Sequence, residues 1–504
     1  MTGVAEALFQ VPPFPGAKPV AIVRPAPAPA PRPVDGATAA AFVAAVRRER
    51  VGGTYWGAED PWGRFDGGGT LRFERDDPQA LLAAMSGCAV ACDGAFAALN
   101  GGREGLHDLV AAHLLAPVVW LDPFTGAPAS PLDIIALMGR WRRLIEGNRA
   151  IGAAFGFAAW KQDTVAALLW PGDAPTPFAP PLRSRLDALP PNTAVAVWKA
   201  RVPAPFLAQL EASGRPVVEV EDGFIRSIGL GADCVPPLSI VLDDLAAHYD
   251  PNRPSRLERL LAEGEPDAAM LARAAALAQR IAASGISKYG ASKRRGIALP
   301  RPGGNRRHVL VVGQVEDDRS VLLGGCGLAS NHELLRRVRV RCPDAHIIYR
   351  PHPDVEAGHR KGHVPPSAAL EIADGIDPGN AISDLIAMVD EVHVLTSLAG
   401  FEALLHGKAV VTHGVPFYAG WGLTKDLGPV PARRGRARSI EQLTAAVLLE
   451  YPRYLDPVTG LPCDAELLIL RLGAGVQRKN TALVALRKGI GVLNRFFARV
   501  RDKV

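Results

Sequence analysis

Short apolar runs rich in β-branched residues recur along the chain from about residue 166 onward. Helical patterns such as those of 331–341 and 398–408 lie between several of these runs. Such alternation predicts parallel sheets with covered faces, and a Pro-, Gly- and Arg-rich break at 297–306 divides the strands into two blocks. We therefore predict an α/β fold in which two doubly wound, Rossmann-type domains face a cleft. The clearest predicted strands are 193–199, 216–221, 308–314, 345–352, 391–397 and 409–414.

The first 165 residues have a different texture. A Pro/Ala run at 24–34 predicts an extended arm over residues 1–35, whereas 36–165 are Ala- and Gly-rich with helical patterns. Within them, 106–128 matches 440–462 without a gap at 11 of 23 positions. We interpret 36–165 as a mostly helical, degenerate remnant of a first copy of the later module, without an active site of its own. Rossmann-like domains at 166–300 and 301–472 and a helix at 473–504 complete the predicted organisation.

Composition is typical of a soluble globular protein, with 48% hydrophobic and 21% charged residues. No window approaches the run of about 18 apolar residues that a membrane span needs, and the N-terminus lacks a signal-peptide pattern. The six cysteines form neither a zinc spacing nor a dense disulfide framework. We therefore expect reduced thiols in a cytoplasmic protein.

The positive net charge is concentrated at the C-terminus. Residues 473–504 carry eight Lys/Arg and one Asp, which gives this segment a net charge of +7. Since the whole chain has a net charge of +6, the other residues sum to about −1. This argues against a nucleic-acid partner and for a local anionic one. A basic amphipathic helix of this kind suits the inner face of an anionic membrane, although its apolar stripe could instead pack on the folded protein. The stripe consists of Leu483, Leu486, Ile490, Leu493, Phe497 and Val500.

Polar residues follow the predicted strands at their carboxyl ends, where ligands bind in open α/β sheets. Glu221 and Asp222 follow one strand and Asp318 follows another. Carboxyl groups across a cleft suit sugar transfer, through acid–base assistance or covalent capture of the anomeric centre. Each acid could instead be a helix cap or part of a solvated turn.

Hydroxyl and imidazole groups stand at other strand ends. Thr396 and Ser397, with Gly400, open a helix and could hold a phosphate, although ordinary helix capping explains them equally well. His352 lies beside Arg350 at a strand end, which favours contact with a phosphate or a nucleotide.

Other motifs are incomplete. His332-Glu333 lacks the second histidine of a zincin, and neither a P-loop nor a dinucleotide fingerprint occurs. The arginines of 433–438 are interpreted as a solvated loop. The residues thus predict no metal.

Several of these stretches, above all 221–231, 396–408 and 416–426, resemble the capsular polysaccharide β-Kdo transferases of the KpsC/KpsS type. The resemblance covers residues 166–465 and implies a GT-B glycosyltransferase of capsular polysaccharide biosynthesis and export. It implies CMP-Kdo as the donor of the sugar acid Kdo, retention of the β configuration, and neither a metal nor another cofactor. The implied acceptor is a lipid-linked Kdo oligosaccharide on phosphatidylglycerol. The expected location is cytoplasmic and peripheral to the inner membrane, with other capsule-assembly proteins as partners. Further matching stretches are 237–239, 249–250, 253–255, 314–320 and 352–354.

The resemblance also assigns roles to residues, with 166–300 as the acceptor domain and 301–472 as the donor domain. Asp318, Glu221 and Asp222 would be catalytic, and we expect Asp318 to be the more critical carboxylate, as nucleophile or stabiliser. Residues expected to bind the nucleotide are Gln314, Arg350, His352, Pro353, Thr396, Ser397, Gly400 and Glu402. Those expected to bind the substrate are Arg226, Ser227, Ser320, Phe417, Tyr418 and Trp421.

The chain departs from the dual-module members of that family, because only its second module is complete. A single module predicts a single linkage. Two alternatives remain open at this point: a GT-B transferase with another nucleotide sugar, and a non-catalytic scaffold for capsule assembly.

Overall fold

The computed structural model describes residues 3–18, 20–27, 34–101, 105–227, 235–287, 290–291, 299–302, 304–358 and 360–476. Residues 477–504, which make up most of the predicted C-terminal helix, lie outside these ranges. So do residues 228–234, which include the end of the stretch 221–231 that resembles the transferase family. The chain divides into two compact units. The first comprises the described residues within 1–152, 166–177 and 459–462, and the second those within 153–165, 178–458 and 463–476.

The first unit is mostly helical, as predicted, and its core is aromatic. Phe9, Phe42 and Trp120 form a ring cluster with centroids 5.1–5.7 Å apart, and Trp141 is buried. Phe9 and Phe14 are buried too, so the first residues of the predicted arm pack into this core. The helices are α1 Gly3–Leu8, α2 Gly36–Glu49, α3 Pro61–Phe65, α4 Pro78–Ser86, α5 Leu106–Val110 and α6 Pro131–Asn148, and the strands are β1 Val23–Pro25, β2 Thr70–Arg72, β3 Ala89–Ala91 and β4 Val118–Trp120.

The second unit contains two large sheets, a two-stranded sheet of β10 and β11, and most of the remaining elements. Its strands are β5 Ile151–Phe155, β6 Phe178–Ala179, β7 Ala194–Val197, β8 Val217–Asp222, β9 Ser239–Asp243, β10 Ile286–Ser287, β11 Gly290–Ala291, β12 His308–Val312, β13 His346–Arg350, β14 Gly375–Ile376, β15 Glu391–Val394, β16 Ala409–Thr412, β17 Lys425–Asp426, β18 Pro452–Leu455 and β19 Pro462–Cys463. Its helices are α7 Ala159–Leu168, α8 Arg183–Asp187, α9 Ala204–Ala212, α10 Arg256–Glu263, α11 Ala268–Ser284, α12 Arg319–Gly324, α13 Asn331–Arg341, α14 Pro353–Glu356, α15 Pro366–Leu370, α16 Ile382–Met388, α17 Ala399–Leu405, α18 Ile440–Thr444 and α19 Ala465–Gly473.

The sheet that follows residue 308 is fully parallel, as predicted. Its strand order is β14-β13-β12-β15-β16-β17. The central strands β12, β13 and β15 are almost entirely buried, because helices cover both faces of a parallel sheet. This arrangement places the carboxyl ends of β12, β13, β15 and β16 along one edge.

The other sheet is mixed, and this corrects the expectation of two parallel sheets. Its order is β19-β18-β9-β8-β7-β5-β6, with β7 and β8 parallel but β9 antiparallel to both β8 and β18. Strand β9 is fully buried, so it carries a continuous apolar run rather than an alternating pattern. The sheet also begins upstream of residue 166, with β5, whose run of Gly and Ala carries little β signal.

The repeat seen in the sequence corresponds to repeated structure. Helix α5 continues into a π-helix at Ala111–Leu115 before β4, and α18 continues into a π-helix at Ala445–Glu450 before β18. Trp120 Nε1 donates to the Leu114 carbonyl at 3.0 Å, and Tyr454 Oη donates to the Leu448 carbonyl at 2.8 Å, at the same spacing of 334 residues. Both strands pair antiparallel with a preceding strand, β1 or β9.

A second pair of segments is also alike. In the first unit β2, α4 and β3 form a parallel strand–helix–strand motif, and β15, α17 and β16 form another in the second unit. Asp76 and Asp77 precede α4 where Thr396 and Ser397 precede α17. Two acids at this place would repel a phosphate.

The arginines of 433–438 are not a solvated loop. Arg434 and Arg438 are buried, and Arg433 and Arg434 both ion-pair with Glu258 of α10. The buried Glu258 carboxylate explains the burial of Arg434, whereas Arg438 donates to the backbone carbonyls of Leu261 and Ala262. Within the described residues, no helix combines the length and the hydrophobicity that crossing a membrane would require.

Candidate active site in the second unit

A cavity of about 600 Å³ lies where the strands of both sheets end. Residues at the carboxyl ends of β8, β12, β13, β15 and β16 line it, where ligands are expected to bind in an α/β sheet. Many of its lining groups are charged or hydroxyl-bearing. Ten of the predicted site residues line it: Glu221, Asp222, Arg226, Gln314, Asp318, Ser320, His352, Thr396, Ser397 and Phe417.

Asp222 is held between two cations. Lys161 Nζ lies 3.2 Å from its Oδ1, and Arg226 Nε lies 2.9 Å from its Oδ2. Arg226 is itself fixed, because its guanidinium donates to Ser227 Oγ and to the Val235 carbonyl, both at 2.8 Å. With a positive charge at each oxygen, Asp222 is kept as a carboxylate.

Glu221, its neighbour, has a contrasting environment. Burial, followed by the negative charge of Asp222, raises the pKa of Glu221 to about 7, although Lys161 opposes the shift. The Tyr249 hydroxyl donates to Glu221 Oε1 at 3.1 Å. A carboxyl group with a pKa near neutrality can accept or donate a proton at physiological pH.

Asp318 serves as the N-cap of α12. Its Oδ1 accepts hydrogen bonds from the Ser320 backbone N–H at 3.0 Å and from Ser320 Oγ at 2.7 Å. Thr396 Oγ1 lies 3.5 Å from Ser320 Oγ, which links Asp318 to the hydroxyls after β15. The capping interpretation of this acid therefore holds, and the group still lines the cavity.

Gln314 organises the hydroxyl side of the cavity. Its Nε2 donates to Thr396 Oγ1 at 3.0 Å, and its Oε1 accepts from the Thr396 backbone N–H at 2.7 Å. Asn331 anchors Gln314 in turn, accepting its backbone N–H at 2.8 Å. These paired bonds fix the Thr396 hydroxyl beside Ser397.

His352 is oriented by its own helix cap. Its Nδ1 accepts from the Asp354 backbone N–H at 3.1 Å, so the neutral ring carries its hydrogen on Nε2. Asp354 and Arg360 line the cavity beside it, and Arg360 ion-pairs with Asp317 at 3.1 Å.

Seven predicted site residues do not line the cavity. Tyr418 and Trp421 are completely buried, and Tyr418 Oη donates to the Ser397 carbonyl. Gly400 has no side chain because the Tyr418 ring occupies that space, where a Cβ would lie 2.2 Å from the hydroxyl. These three residues support the loop that carries Ser397. Of the other four, Ser227 accepts a hydrogen bond from Arg226, and Arg350 donates to the Asp377 carbonyl at 3.0 Å. Pro353 lies at the start of α14, and Glu402 lies within α17.

The cavity also contains residues that sequence reasoning missed. Lys161 and Trp160 come from α7, upstream of the predicted domain boundary, where the sequence offered no strand end. Trp198 and Arg201 follow β7, a predicted strand whose end was not searched for site residues. Tyr249 belongs to a family-like stretch but received no role. The remaining unpredicted residues of the wall include Phe224 and His248.

Among the described residues, one group has the composition of a metal site. The side-chain donor atoms of Cys342, Glu391 and His393 lie within 4.8 Å of one another. Glu391 and His393 already hydrogen-bond at 2.5 Å, and Arg307 contacts both Glu391 and Cys342. The cluster is satisfied as it stands and lies at the amino end of β15, away from the cavity.

Two sheets whose strand ends converge on a polar cavity define an α/β protein with a ligand site at a sheet edge. The family model for the capsule polysaccharide biosynthesis protein matches residues 193–290 and 268–454. This chain belongs to that family, the KpsC-type capsule Kdo transferase family, as the resemblance predicted.

Two solved structures of the family are similar to this chain over 64% of its length. The β-Kdo 2,7 transferase of Thermosulfurimonas dismutans KpsC is 33% identical with a TM-score of 0.52, covering 64% of this chain and 98% of that one. The β-Kdo 2,4 transferase of the same KpsC is 30% identical with a TM-score of 0.52 over the same shares.

Curated relatives extend further in length. The capsule polysaccharide modification protein LipA of Neisseria meningitidis serogroup B is 37% identical over 392 residues, which is 75% of this chain and 54% of LipA. The lipopolysaccharide-processing protein LpsZ of Rhizobium meliloti is 43% identical over 263 residues, 52% of this chain and 59% of LpsZ. The chain thus spans about half the length of the curated relatives it matches.

Proposed function

We propose that this protein is a GT-B glycosyltransferase that transfers Kdo from CMP-Kdo to a Kdo-bearing acceptor in capsular polysaccharide biosynthesis, with retention of configuration. The observation that carries the proposal is the contrast between two adjacent acids in one cavity. Asp222 is kept ionised by Lys161 and Arg226, whereas Glu221 has a pKa of about 7. Retention through a covalent intermediate requires these two states, a nucleophilic carboxylate and a proton-transferring carboxyl group.

The donor is placed on the side of the cavity formed by the parallel sheet. Thr396 and Ser397 offer hydroxyls, and His352 offers its Nε2–H, to the phosphate of CMP. Such neutral donors, with Arg360 nearby, suit a leaving phosphate whose charge increases as the glycosidic bond breaks. The reaction as proposed uses neither a metal nor another cofactor.

Two displacements then give retention. In the first displacement, an Asp222 carboxylate oxygen attacks the anomeric carbon of Kdo. The bond between that carbon and the phosphate oxygen breaks, and CMP leaves with the bonding electrons. The acceptor hydroxyl next attacks the same carbon, Glu221 takes the hydroxyl proton, and the bond to Asp222 breaks. We assign the nucleophile to Asp222 rather than to Asp318, because Asp222 has a cation at each oxygen whereas Asp318 accepts two hydrogen bonds from Ser320.

The acceptor and the cellular location belong to the same proposal. We propose a lipid-linked Kdo oligosaccharide on phosphatidylglycerol as the acceptor, bound at the inner face of the membrane by a peripherally associated, cytoplasmic protein. The Neisseria and Rhizobium relatives named for capsule and lipopolysaccharide processing support this setting.

The test is transfer by the full chain. Purified protein is incubated with CMP-Kdo and a synthetic Kdo-terminated glycolipid, and the product is analysed by mass spectrometry and by NMR of the anomeric linkage. We expect one added Kdo in β linkage, and no product from CMP-sialic acid or a UDP-sugar. If product forms only with another nucleotide sugar, that sugar nucleotide is the donor and the assignment of CMP-Kdo is wrong. If the protein binds CMP but forms no product, a non-catalytic scaffold is favoured.

A further inference from the structure

A buried lysine from outside the strand ends lies against the acid pair. Lys161 is the third residue of α7, and its side chain is only 8% exposed. Its Nζ is 3.2 Å from Asp222 Oδ1 and 3.2 Å above the centroid of the Trp198 ring. Burying an ammonium is costly, and a cation in the first turn opposes the helix dipole. This placement is therefore better explained by the site than by the stability of α7.

The two cations around Asp222 differ in chemistry. Arg226 is permanently charged and is tied into its loop by bonds to Ser227 and Val235. Lys161 can lose its proton, because burial lowers the pKa of its ammonium to about 8, although Asp222 counteracts the shift. The charged groups that act on Lys161 are Asp222, Arg226 and Glu221.

Glu221 is sensitive to the same ammonium. Apart from Asp222 and Lys161, the titratable groups that act on it are Tyr249, which donates a hydrogen bond, and Asp318. Of these four groups, Lys161 alone carries a positive charge. Its charge thus favours the ionised form of both Asp222 and Glu221.

We propose that Lys161 is a positioning residue of the transfer reaction proposed above, on which this inference rests. Its ammonium holds the Asp222 carboxylate in place at Oδ1 and favours the ionised form of Glu221. Without the ammonium, Asp222 loses the contact at Oδ1 that fixes its orientation, and Glu221 retains its proton to higher pH.

The first experiment compares pH profiles of kcat for wild type, Lys161→Met and Lys161→Arg. In wild type, kcat rises as Glu221 ionises near pH 7 and falls as Lys161 loses its proton near pH 8. We expect Lys161→Met to lower kcat at least tenfold and to move the rising limb to higher pH. Lys161→Arg keeps the charge, so the falling limb near pH 8 disappears.

Lys199→Met is the matched control. Lys199 is also ion-paired with a carboxylate of β8, Glu219, but does not line the cavity. Its variant should keep the wild-type pH profile. If Lys161→Met lowers kcat without moving either limb, Lys161 only packs on Trp198 and the proposal is overturned.

A second readout needs no reaction. The ammonium above the Trp198 ring perturbs the indole, so loss of its proton should produce a fluorescence step near pH 8 in wild type. The step should be absent in Lys161→Met and in Trp198→Phe and present in Lys199→Met. Absence of the step in wild type overturns the proposal. A step without any transfer from CMP-Kdo would refute the proposed reaction while the charge assignment of Lys161 stands.

Discussion

Two neighbouring carboxyl groups, Glu221 and Asp222, have different electrostatic surroundings. Asp222 contacts two cations, whereas Glu221 is enclosed and lies beside the negative charge of Asp222. The sequence shows both as an acidic pair after a strand, and only contacts with Lys161, Arg226 and Tyr249 separate their roles.

The first residue-scale prediction separates two candidate nucleophiles. Asp222→Asn should lower transfer by roughly 10³-fold or more while leaving CMP affinity nearly unchanged. Asp318→Asn removes the charge but keeps a good helix cap, so it should retain more than a tenth of the activity. Transfer assays and calorimetric titration with CMP measure both quantities. The reverse ranking would return the nucleophile to Asp318, as the sequence predicted.

Glu221→Gln should lower the activity and raise the free energy of unfolding. Between its ordinary pKa of 4.5 and about 7, the native state retains a proton that the unfolded chain has released, so Glu221 destabilises the fold as pH rises through this range. The variant should therefore be more stable than wild type at pH 8, by about 3 kcal/mol, and equal to it near pH 4. Turnover should fall by roughly 10²–10⁴-fold. Thermal unfolding at both pH values measures the stability difference.

Glu333 gives a control of opposite sign. Its pKa is lowered to about 2 by hydrogen bonds from Arg336 and Arg337, so it stabilises the fold above its unfolded pKa. Glu333→Gln should lower the melting temperature at pH 8, with the loss disappearing as the pH falls towards 2. A stabilised Glu333→Gln, or a Glu221→Gln that is no more stable than wild type at pH 8, would contradict these assignments.

At the scale of elements, the loops after β12, β13 and β15 together form the proposed donor site. Gln314 fixes Thr396 by two hydrogen bonds, and the cap of α14 orients His352. Each group comes from a different strand, so the sheet order β13-β12-β15 brings them together.

Removal of a donor-site group should weaken CMP binding. On the proposed mode of binding, His352→Ala, Thr396→Ala and Ser397→Ala each remove a hydrogen bond to the phosphate of CMP. Such a bond is worth about 1.5–3 kcal/mol, or roughly 10- to 150-fold in affinity. Ser330→Ala, which removes the N-cap of α13 outside the cavity, is the matched control and should leave CMP affinity unchanged. Calorimetric titration measures all four. If the Kd for CMP is unchanged in all three site variants, these residues do not bind the phosphate.

At the scale of the whole molecule, the two units share repeated segments but differ in chemistry. Asp76 and Asp77 stand in the first unit where Thr396 and Ser397 stand in the second. We therefore predict one CMP bound per chain, measured by calorimetric stoichiometry. A second equivalent, unaffected by His352→Ala, would show that the first unit retains a donor site.

The C-terminal segment gives the last prediction, from its sequence, since 477–504 lie outside the described residues. Its cations, each contributing about 1 kcal/mol near an anionic surface, should bring the full chain to phosphatidylglycerol vesicles at low salt. A chain ending at Gly475, just beyond α19, should not float with these vesicles but should still bind CMP. Flotation on neutral vesicles is the control. Equal flotation of the truncated chain would assign the lipid contact elsewhere.

The sequence by itself determined the features that depend on local periodicity. The six strongest strands, the parallel sheet after residue 308 and the repeat were predicted because β-branched runs and helical periods are local signals. Ten of the predicted site residues line one cavity because the carboxyl ends of parallel strands meet at one edge, a rule that needs only the strand positions.

Only the tertiary structure decided which residues act on one another. The antiparallel β9, the early strand β5 and the buried arginines around Glu258 depend on partners far along the chain. Lys161 reaches Asp222 across 61 residues, and no local pattern marks such a contact. Protonation states depend on burial and on the distances between charges, and these exist only once the chain has folded.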